Sequence, residues 1–170
     1  MMKNGFTMIE LLASVVILGL LLVLTIPSYA GITRQMKNSN LDGKISEITV
    51  AAKKYGEQVK DEVKDAGKSC KVTTVDQLIS LGLLESESES ANQIFNPKDN
   101  TVLGGNIYIC YNTKDYKLET YYTFTYKTNT PYQKGLYVVD NNKIYRVLKN
   151  SPTNGEITNT NYFELVRDLN

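Results

Sequence analysis

A long apolar run near the start of the chain contains one full charge at its entrance, and this combination limits what the segment can become. The run extends from Leu11 to Ile26, and Glu10 directly precedes it. Because an α-helix rises about 1.5 Å per residue, a helix from Phe6 to Ile26 covers roughly 30 Å, the thickness of a bilayer's hydrocarbon core. A carboxylate in hydrocarbon costs on the order of 3 kcal/mol even on lenient insertion scales. The sequence therefore predicts a membrane-spanning helix in which some partner compensates for the charge of Glu10.

A short motif surrounds this charge. Lys3 is followed by Gly5-Phe6, Glu10 stands four residues after Phe6, and Pro27 lies near the far end of the apolar run. The arrangement resembles the processing motif of type IV pilins and the related pseudopilins. The resemblance implies that a prepilin peptidase cuts between Gly5 and Phe6 and that the new amine of Phe6 is methylated. It also places Glu10 and Pro27 among the residues used in assembly.

The cut that the resemblance implies would create a cation one helical turn from Glu10. In a helical assembly, the Phe6 ammonium of one subunit can pair with Glu10 of its neighbour. The i, i+4 spacing also lets Glu10 reach the amine of its own chain, and both geometries fit the sequence. Since breaking one partner of a buried ion pair typically costs about 3–5 kcal/mol, such a pair would select the register of assembly rather than add stability.

Two simpler interpretations of the segment are an uncleaved signal anchor and a cleaved secretory signal. The second is suggested by Ser28-Tyr29-Ala30, which has the small-x-small pattern of a signal peptidase site. Neither interpretation explains Glu10 beside the apolar run or Gly5-Phe6 at its mouth. The pilin-like interpretation is favoured for that reason.

Composition restricts the chemistry that the chain can perform. The 170 residues include no histidine, and the formal net charge is +1. The chain therefore lacks the commonest general base and metal ligand, and it has no global field that attracts nucleic acid. No phosphate-binding loop, dinucleotide fingerprint or zinc signature is present. We expect a protein that is not an enzyme and that has no catalytic, cofactor-binding or metal-binding residues; nucleic-acid binding stays open.

The helix is expected to continue beyond the apolar run. Apolar residues recur mostly every four positions from Ile32 to Val63, which is typical of an amphipathic helix, and Gly67 is the expected end. Pro27 removes one backbone hydrogen bond, and we expect a gentle kink there rather than a stop. Weak helix formers between positions 38 and 43 indicate either an exposed weak turn or a flexible joint.

The rest of the chain combines one short helix with strands. Thr73 or Thr74 is predicted to cap a helix that Gly82 ends, and the acidic repeat at 85–90 is predicted to be a solvated loop. From position 106 onward, apolar and polar residues alternate as in strands, and Asp140-Asn141-Asn142 marks a hairpin. The tail from 161 to 170 adds a strand or a short helix. The expected fold is α+β, with a long N-terminal α-helix packed against a C-terminal antiparallel β-sheet of about four strands, as in the pilin fold.

Two cysteines, Cys70 and Cys110, lie in the part that is expected to face outward. An oxidising location favours a single disulfide between them. The bridge would stabilise the fold by roughly 3–4 kcal/mol on the chain-entropy model. The alternative is two free buried thiols.

These features divide the chain into a leader at 1–5, a transmembrane and filament-core helix at 6–30, its amphipathic continuation at 31–67 and a globular head at 68–170. The resemblance implies a structural subunit of a type IV pilus or pseudopilus. Its partners would be other pilin subunits, the prepilin peptidase and, indirectly, an assembly ATPase and a platform membrane protein. It would sit in the cell membrane as a single-pass precursor and then in a cell-surface pilus. The alternatives are a membrane-anchored extracellular binding module that does not polymerise, and a membrane-tethered enzyme.

Overall fold

The computed structural model describes residues 7–65 and 70–169, and for residues 21–32, 34 and 65 it describes the backbone alone. The predicted leader at 1–5, the expected cut at Gly5-Phe6 and the predicted helix end at Gly67 lie outside the described residues. The boundaries proposed for the four segments of the chain stay predictions.

One long helix dominates the fold. Helix α1 (Met8–Gln58) has 51 residues, and a single turn residue, Val59, separates it from α2 (Lys60–Asp65). The backbone is helical at Pro27 and throughout positions 38–43, so neither feature ends the helix. The kink at Pro27 and the flexible joint stay predictions.

The two halves of α1 have different surroundings. The large apolar side chains from Met8 to Leu20 are exposed by between 52% and 86%. In the second half, Ile48 and Ala52 are completely buried against the sheet. Across the described ranges, 7–65 and 70–169, no helix combines the length and the apolar character needed to cross a membrane.

A six-stranded sheet follows, and its spatial order is the order of the strands along the chain. The strands are β1 (Lys71–Thr74), β2 (Asn106–Asn112), β3 (Lys117–Thr125), β4 (Tyr137–Asp140), β5 (Lys143–Val147) and β6 (Phe163–Asp168). Neighbouring strands are antiparallel except β3 and β4, which are parallel. The α+β class is confirmed. The four strands expected between positions 106 and 148 are present as β2 to β5, and the tail forms β6, whereas β1 has no counterpart in the prediction. The expected antiparallel pairing is wrong for β3 and β4. The parallel pair arises because the connection between Thr125 and Tyr137 carries the chain back along the sheet before β4 begins.

The alternation predicted for the strands is confirmed. Ile107, Ile109 and Tyr111 pack in the core beneath α1, whereas Tyr108 and Cys110 lie in a second cluster on the opposite face. Helix and sheet approach closely at Gly56, because a Cβ atom there would lie 3.0 Å from the Ile109 Cγ2 atom. The predicted hairpin is also present, and its two turn residues, Asn141 and Asn142, have φ values of 45° and 59°. Positive φ at both central residues is the signature of a type I′ turn.

The sheet curls strongly over its own outer face. Arg167 of β6 donates from Nη1 to a carboxylate oxygen of Glu119 in β3, and from Nη2 to the Tyr111 carbonyl oxygen in β2, each at 3.3 Å. Two strands separate β6 from β3 in the sheet order. These contacts close the second cluster, in which Tyr121 and Ile144 pack against Cys110.

Thr74 is the N-cap of the short helix α3 (Val75–Ser80), which settles the choice between the two threonines. Thr73 belongs to β1, and its hydroxyl donates to the Gln77 side-chain oxygen at 2.9 Å. The helix ends at Leu81, and Gly82 follows with a φ of 68°, as is typical of a glycine after a helix.

Candidate functional site: the start of helix α1

The first described residues form a closed set of hydrogen bonds at the start of α1. Thr7 has an extended backbone, with φ −78° and ψ 149°, and acts as the N-cap. Its hydroxyl oxygen accepts from the Glu10 N–H at 3.4 Å. In return, the Thr7 N–H and the Thr7 hydroxyl donate to the Glu10 Oε2 atom at 3.0 and 2.8 Å. This arrangement is a capping box, which satisfies N–H groups that have no partner within a helix.

Both Thr7 donors converge on one oxygen of Glu10. No described residue donates to the other oxygen, Oε1. A carboxylate accepts about two hydrogen bonds on each oxygen, so Oε1 retains its capacity for a further donor. The positive end of the helix dipole favours a negative charge at this position. The start of α1 therefore presents a carboxylate that is fixed through one oxygen and available through the other.

The surroundings of Glu10 are apolar side chains that the described part of the chain leaves exposed. Met8 and Ile9 are among the most exposed apolar side chains among the described residues, and the exposure continues to Leu20. A helix that is apolar on all sides requires lipid or other helices around it. The site is thus a charged group at the start of an apolar helix surface that requires lipid or other helices around it.

The comparison with protein families bears directly on this segment. The first 26 residues match the family described as "Prokaryotic N-terminal methylation motif". Residues 1–26 carry the methylation motif. It is the signature of type IV pilin and pseudopilin precursors, so the resemblance seen in the sequence is confirmed for this segment. The comparisons with curated proteins and with solved structures found no significant match.

The methylation motif includes three of the four residues predicted to act in processing or assembly, and the structure describes the four unequally. Gly5 and Phe6 lie outside the described residues, so the pairing of Glu10 with the Phe6 amine stays a prediction. Glu10 stands at the third position of α1, and Pro27 lies beyond the match, within the helical backbone. The contact that the structure adds is the one between Glu10 and Thr7.

Thr7 is the residue that the sequence analysis missed. The stretch Thr7-Met8-Ile9-Glu10 has the Ser/Thr-x-x-Glu spacing of a capping box just ahead of an apolar run. The same spacing recurs at Thr74 and Gln77, where only the cap was foreseen. Attention to the charge of Glu10 alone overlooked a local hydrogen-bond partner three residues away.

A disulfide joins Cys70 to Cys110, away from the methylation motif. Cys110 is completely buried in β2, and Cys70 directly precedes the edge strand β1. The bridge fixes this four-residue strand to its neighbour β2. It acts on the stability of the head and has no contact with Glu10.

The acidic repeat is more structured than a solvated loop. The Ser86 hydroxyl donates to the Ala91 carbonyl at 2.7 Å and accepts from the Ser88 and Gln93 N–H groups at 3.1 and 3.2 Å. Glu87 pairs with Lys44 of α1 and accepts from the Phe95 N–H at 2.8 Å. The hydrogen bond from Lys44 lowers the pKa of Glu87. This loop therefore fastens the head to the second half of α1.

Proposed function

We propose that this chain is a structural subunit of a type IV pilus or pseudopilus. In this proposal, prepilin peptidase cuts between Gly5 and Phe6, the amine of Phe6 is methylated, and the first half of α1 packs into a filament. One observation carries the proposal: the methylation motif leads directly into a helix whose apolar side chains from Met8 to Leu20 are left exposed by the rest of the described chain.

The location follows from the same segment. The apolar run from Leu11 to Ile26 would hold the precursor in the cell membrane, and assembly would move it from lipid into a bundle of helices at the cell surface. Both environments are apolar, so burial alone gives little driving force for the transfer. The geometry of assembly must then come from packing and from polar contacts, and Glu10 supplies the strongest polar group of this segment.

Glu10 has a defined role in the proposal. Hydrolysis of the bond between Gly5 and Phe6 frees an ammonium group, and this group on one subunit pairs with the Glu10 carboxylate of the next. A subunit in the wrong register leaves both charges unpaired in an apolar core, which costs about 3–5 kcal/mol. The proposed partners are therefore other subunits of the same kind, the peptidase and, indirectly, an assembly ATPase and its platform protein. The proposal gives the chain itself no catalytic role.

A binding module that does not polymerise is the second candidate, and a groove on the head favours it. The groove has a volume of about 620 Å³ and lies between the loop at 96–105 and the connection after β3. Leu103, Phe124 and Tyr132 contribute apolar lining, and burial lowers the pKa of Lys98 at its edge. Volumes of this size suit small ligands.

Mass spectrometry of the mature N-terminus, combined with fractionation of sheared surface filaments, tests the proposal. A chain that begins at N-methylated Phe6 and is recovered in filaments supports it. A methylated chain found only in membranes supports the binding module. A chain that begins at Gly31 would be a secreted protein, and one that retains Met1 or Met2 would be an uncleaved anchor; either result contradicts the proposal.

A further inference from the structure

The capping box at the start of α1 has a geometry that bears on assembly. The Thr7 N–H and the Thr7 hydroxyl both donate to Glu10 Oε2, at 3.0 and 2.8 Å, and the Glu10 N–H donates back to the same hydroxyl. We propose that Thr7 is a positioning residue, which holds Oε2 of Glu10 so that Oε1 is presented to the methylated amine of a second copy. This inference rests on the proposed function.

The argument begins with the freedom of the glutamate side chain. An isolated Glu on an exposed helix surface samples several rotamers, and ordering it at the moment of assembly opposes binding. Two hydrogen bonds from one threonine select a single rotamer before any partner arrives. The ordering cost is then met within the subunit, which is the general effect of preorganisation.

The division between the two oxygens makes capping and pairing compatible. A carboxylate that used both oxygens for the cap would have to break a hydrogen bond before it could accept from an ammonium group. Here the cap uses Oε2 alone, and no described residue donates to Oε1. Under the proposed function, processing at the methylation motif supplies a modified amine at the start of the mature chain, and Oε1 can accept a hydrogen bond from that amine.

Three substitutions of Thr7 separate positioning from capping. Thr7→Val keeps the shape of the side chain and removes the hydroxyl, whereas Thr7→Ser keeps the hydroxyl. Thr7→Gly also removes the hydroxyl, but glycine is an adequate N-cap, and this replacement usually costs far less helix stability than a replacement by an apolar residue. A residue that served only to start the helix would therefore tolerate glycine, and a positioning residue would not.

Each variant is expressed as the full chain in cells that contain the peptidase and the assembly machinery. The measurement is the ratio of filament protein to membrane protein, counted only over chains that begin at N-methylated Phe6. We expect Thr7→Val and Thr7→Gly to lower this ratio about tenfold, the factor that corresponds to about 1.4 kcal/mol, and Thr7→Ser to preserve it.

The outcomes separate this inference from the proposed function. Normal assembly of Thr7→Val, or loss of assembly in Thr7→Ser, overturns the role of Thr7. If Thr7→Gly assembles normally and Thr7→Val does not, Thr7 acts only as a helix cap. If neither variant yields mature protein, Thr7 is needed for processing. Either result overturns the inference. Glu10→Gln is measured alongside. If Glu10→Gln assembles normally, the proposed pairing of Glu10 with the amine is wrong. If Glu10→Gln fails to assemble while Thr7→Val assembles normally, the pairing stands and only the role of Thr7 is overturned.

Discussion

Two helices in this chain begin with a capping box, and the box is closed by a carboxylate at one helix and by an amide at the other. At the start of α1, the Thr7 N–H donates to Glu10 at 3.0 Å, and the Glu10 N–H donates to the Thr7 hydroxyl at 3.4 Å. At the start of α3, the corresponding distances between Thr74 and Gln77 are 3.2 and 3.3 Å. A neutral amide thus closes a box of the same geometry as a carboxylate. Capping does not explain why the first box carries a charge.

The surroundings of the two boxes explain the difference. Val75 and Leu78 of α3 are buried in the core of the head, and the six-residue helix depends on that packing because a helix so short is marginal alone. The first box opens a 51-residue helix whose initial apolar side chains contact nothing else in the described chain that would bury them. The second box completes a fold within one molecule, whereas the first presents a charge beside apolar side chains that the described chain leaves exposed.

The largest expected effect comes from replacing the carboxylate of the first box, at the start of α1, by the amide that closes the second box, at the start of α3. Glu10→Gln keeps an acceptor for both Thr7 donors, so the helix start should persist, but it removes the negative charge. If the charge pairs with a neighbour's ammonium, that ammonium is left unpaired, at a cost of about 3–5 kcal/mol. We expect the amount of this variant in sheared filaments to fall more than about a hundredfold, which corresponds to roughly 2.7 kcal/mol.

The same variant supplies its own control. Its membrane insertion and the removal of the leader should match those of the unaltered chain, as judged by membrane fractionation and by the mass of the N-terminus. Filaments at the normal level would mean that the charge has no part in assembly. The two boxes would then differ in sequence but not in function.

The second prediction concerns the disulfide, which supports one box and not the other. Cys70 precedes β1, and β1 ends at Thr74, so the bridge to Cys110 fixes the strand from which α3 starts. Replacing both cysteines by alanine should lower the free energy of unfolding of the head by about 3–4 kcal/mol. Denaturant unfolding of the detergent-solubilised chain measures this loss.

Amide hydrogen exchange shows whether loss of the disulfide destabilises the start of α3 alone or the start of α1 as well. In the cysteine variant, exchange of the Gln77 N–H should accelerate, and exchange of the Glu10 N–H should not change. Adding reductant to this variant should have no further effect. Acceleration at both positions would show that α1 and the head unfold as one unit, and the two boxes would no longer be independent.

Local patterns made much of this fold predictable, and non-local pairing made the rest unpredictable. Neighbouring residues alone indicate three features of the chain: the methylation motif, the strand alternation from Ile107 to Tyr111 and the turn at Asn141. Strand β1 has only four residues, and its threonines read equally well as helix caps. The parallel pairing of β3 with β4 depends on the path of a connection, which has no periodic signal.

The candidate site shows the same division at a smaller scale. The apolar residues after Glu10 mark its charge as unusual, and the Ser/Thr-x-x-Glu spacing of Thr7 and Glu10 marks the capping box. The contact between Arg167 and Glu119, which closes the outer face of the curled sheet, joins residues 48 positions apart. No local pattern marks such a contact, because it depends on how far the sheet curls.

A smaller effect is expected when the second box is opened. Thr74→Ala removes the hydroxyl that accepts from the Gln77 N–H, and loss of an N-cap typically costs about 1 kcal/mol. Denaturant unfolding of the head should show a loss of this size, and Thr74→Ser should restore most of it. A loss near zero would mean that burial of Leu78 alone holds α3, which would weaken the comparison with α1.

The smallest expected effect comes from placing a charge in the second box. Gln77 is exposed, and its side-chain oxygen accepts from the Thr73 hydroxyl and the Thr74 N–H, both of which a carboxylate also accepts. The helix dipole favours Gln77→Glu by roughly 0.3–1 kcal/mol, and the neighbouring carboxylate of Asp76 opposes it, so the net change in unfolding free energy should stay within about 0.5 kcal/mol. Denaturant unfolding at neutral pH measures the change. A gain greater than about 1 kcal/mol would show that a box of this geometry prefers a carboxylate to an amide. In that case the charge of Glu10 would have a local explanation, and the argument for a partner in a second molecule would lose its main support.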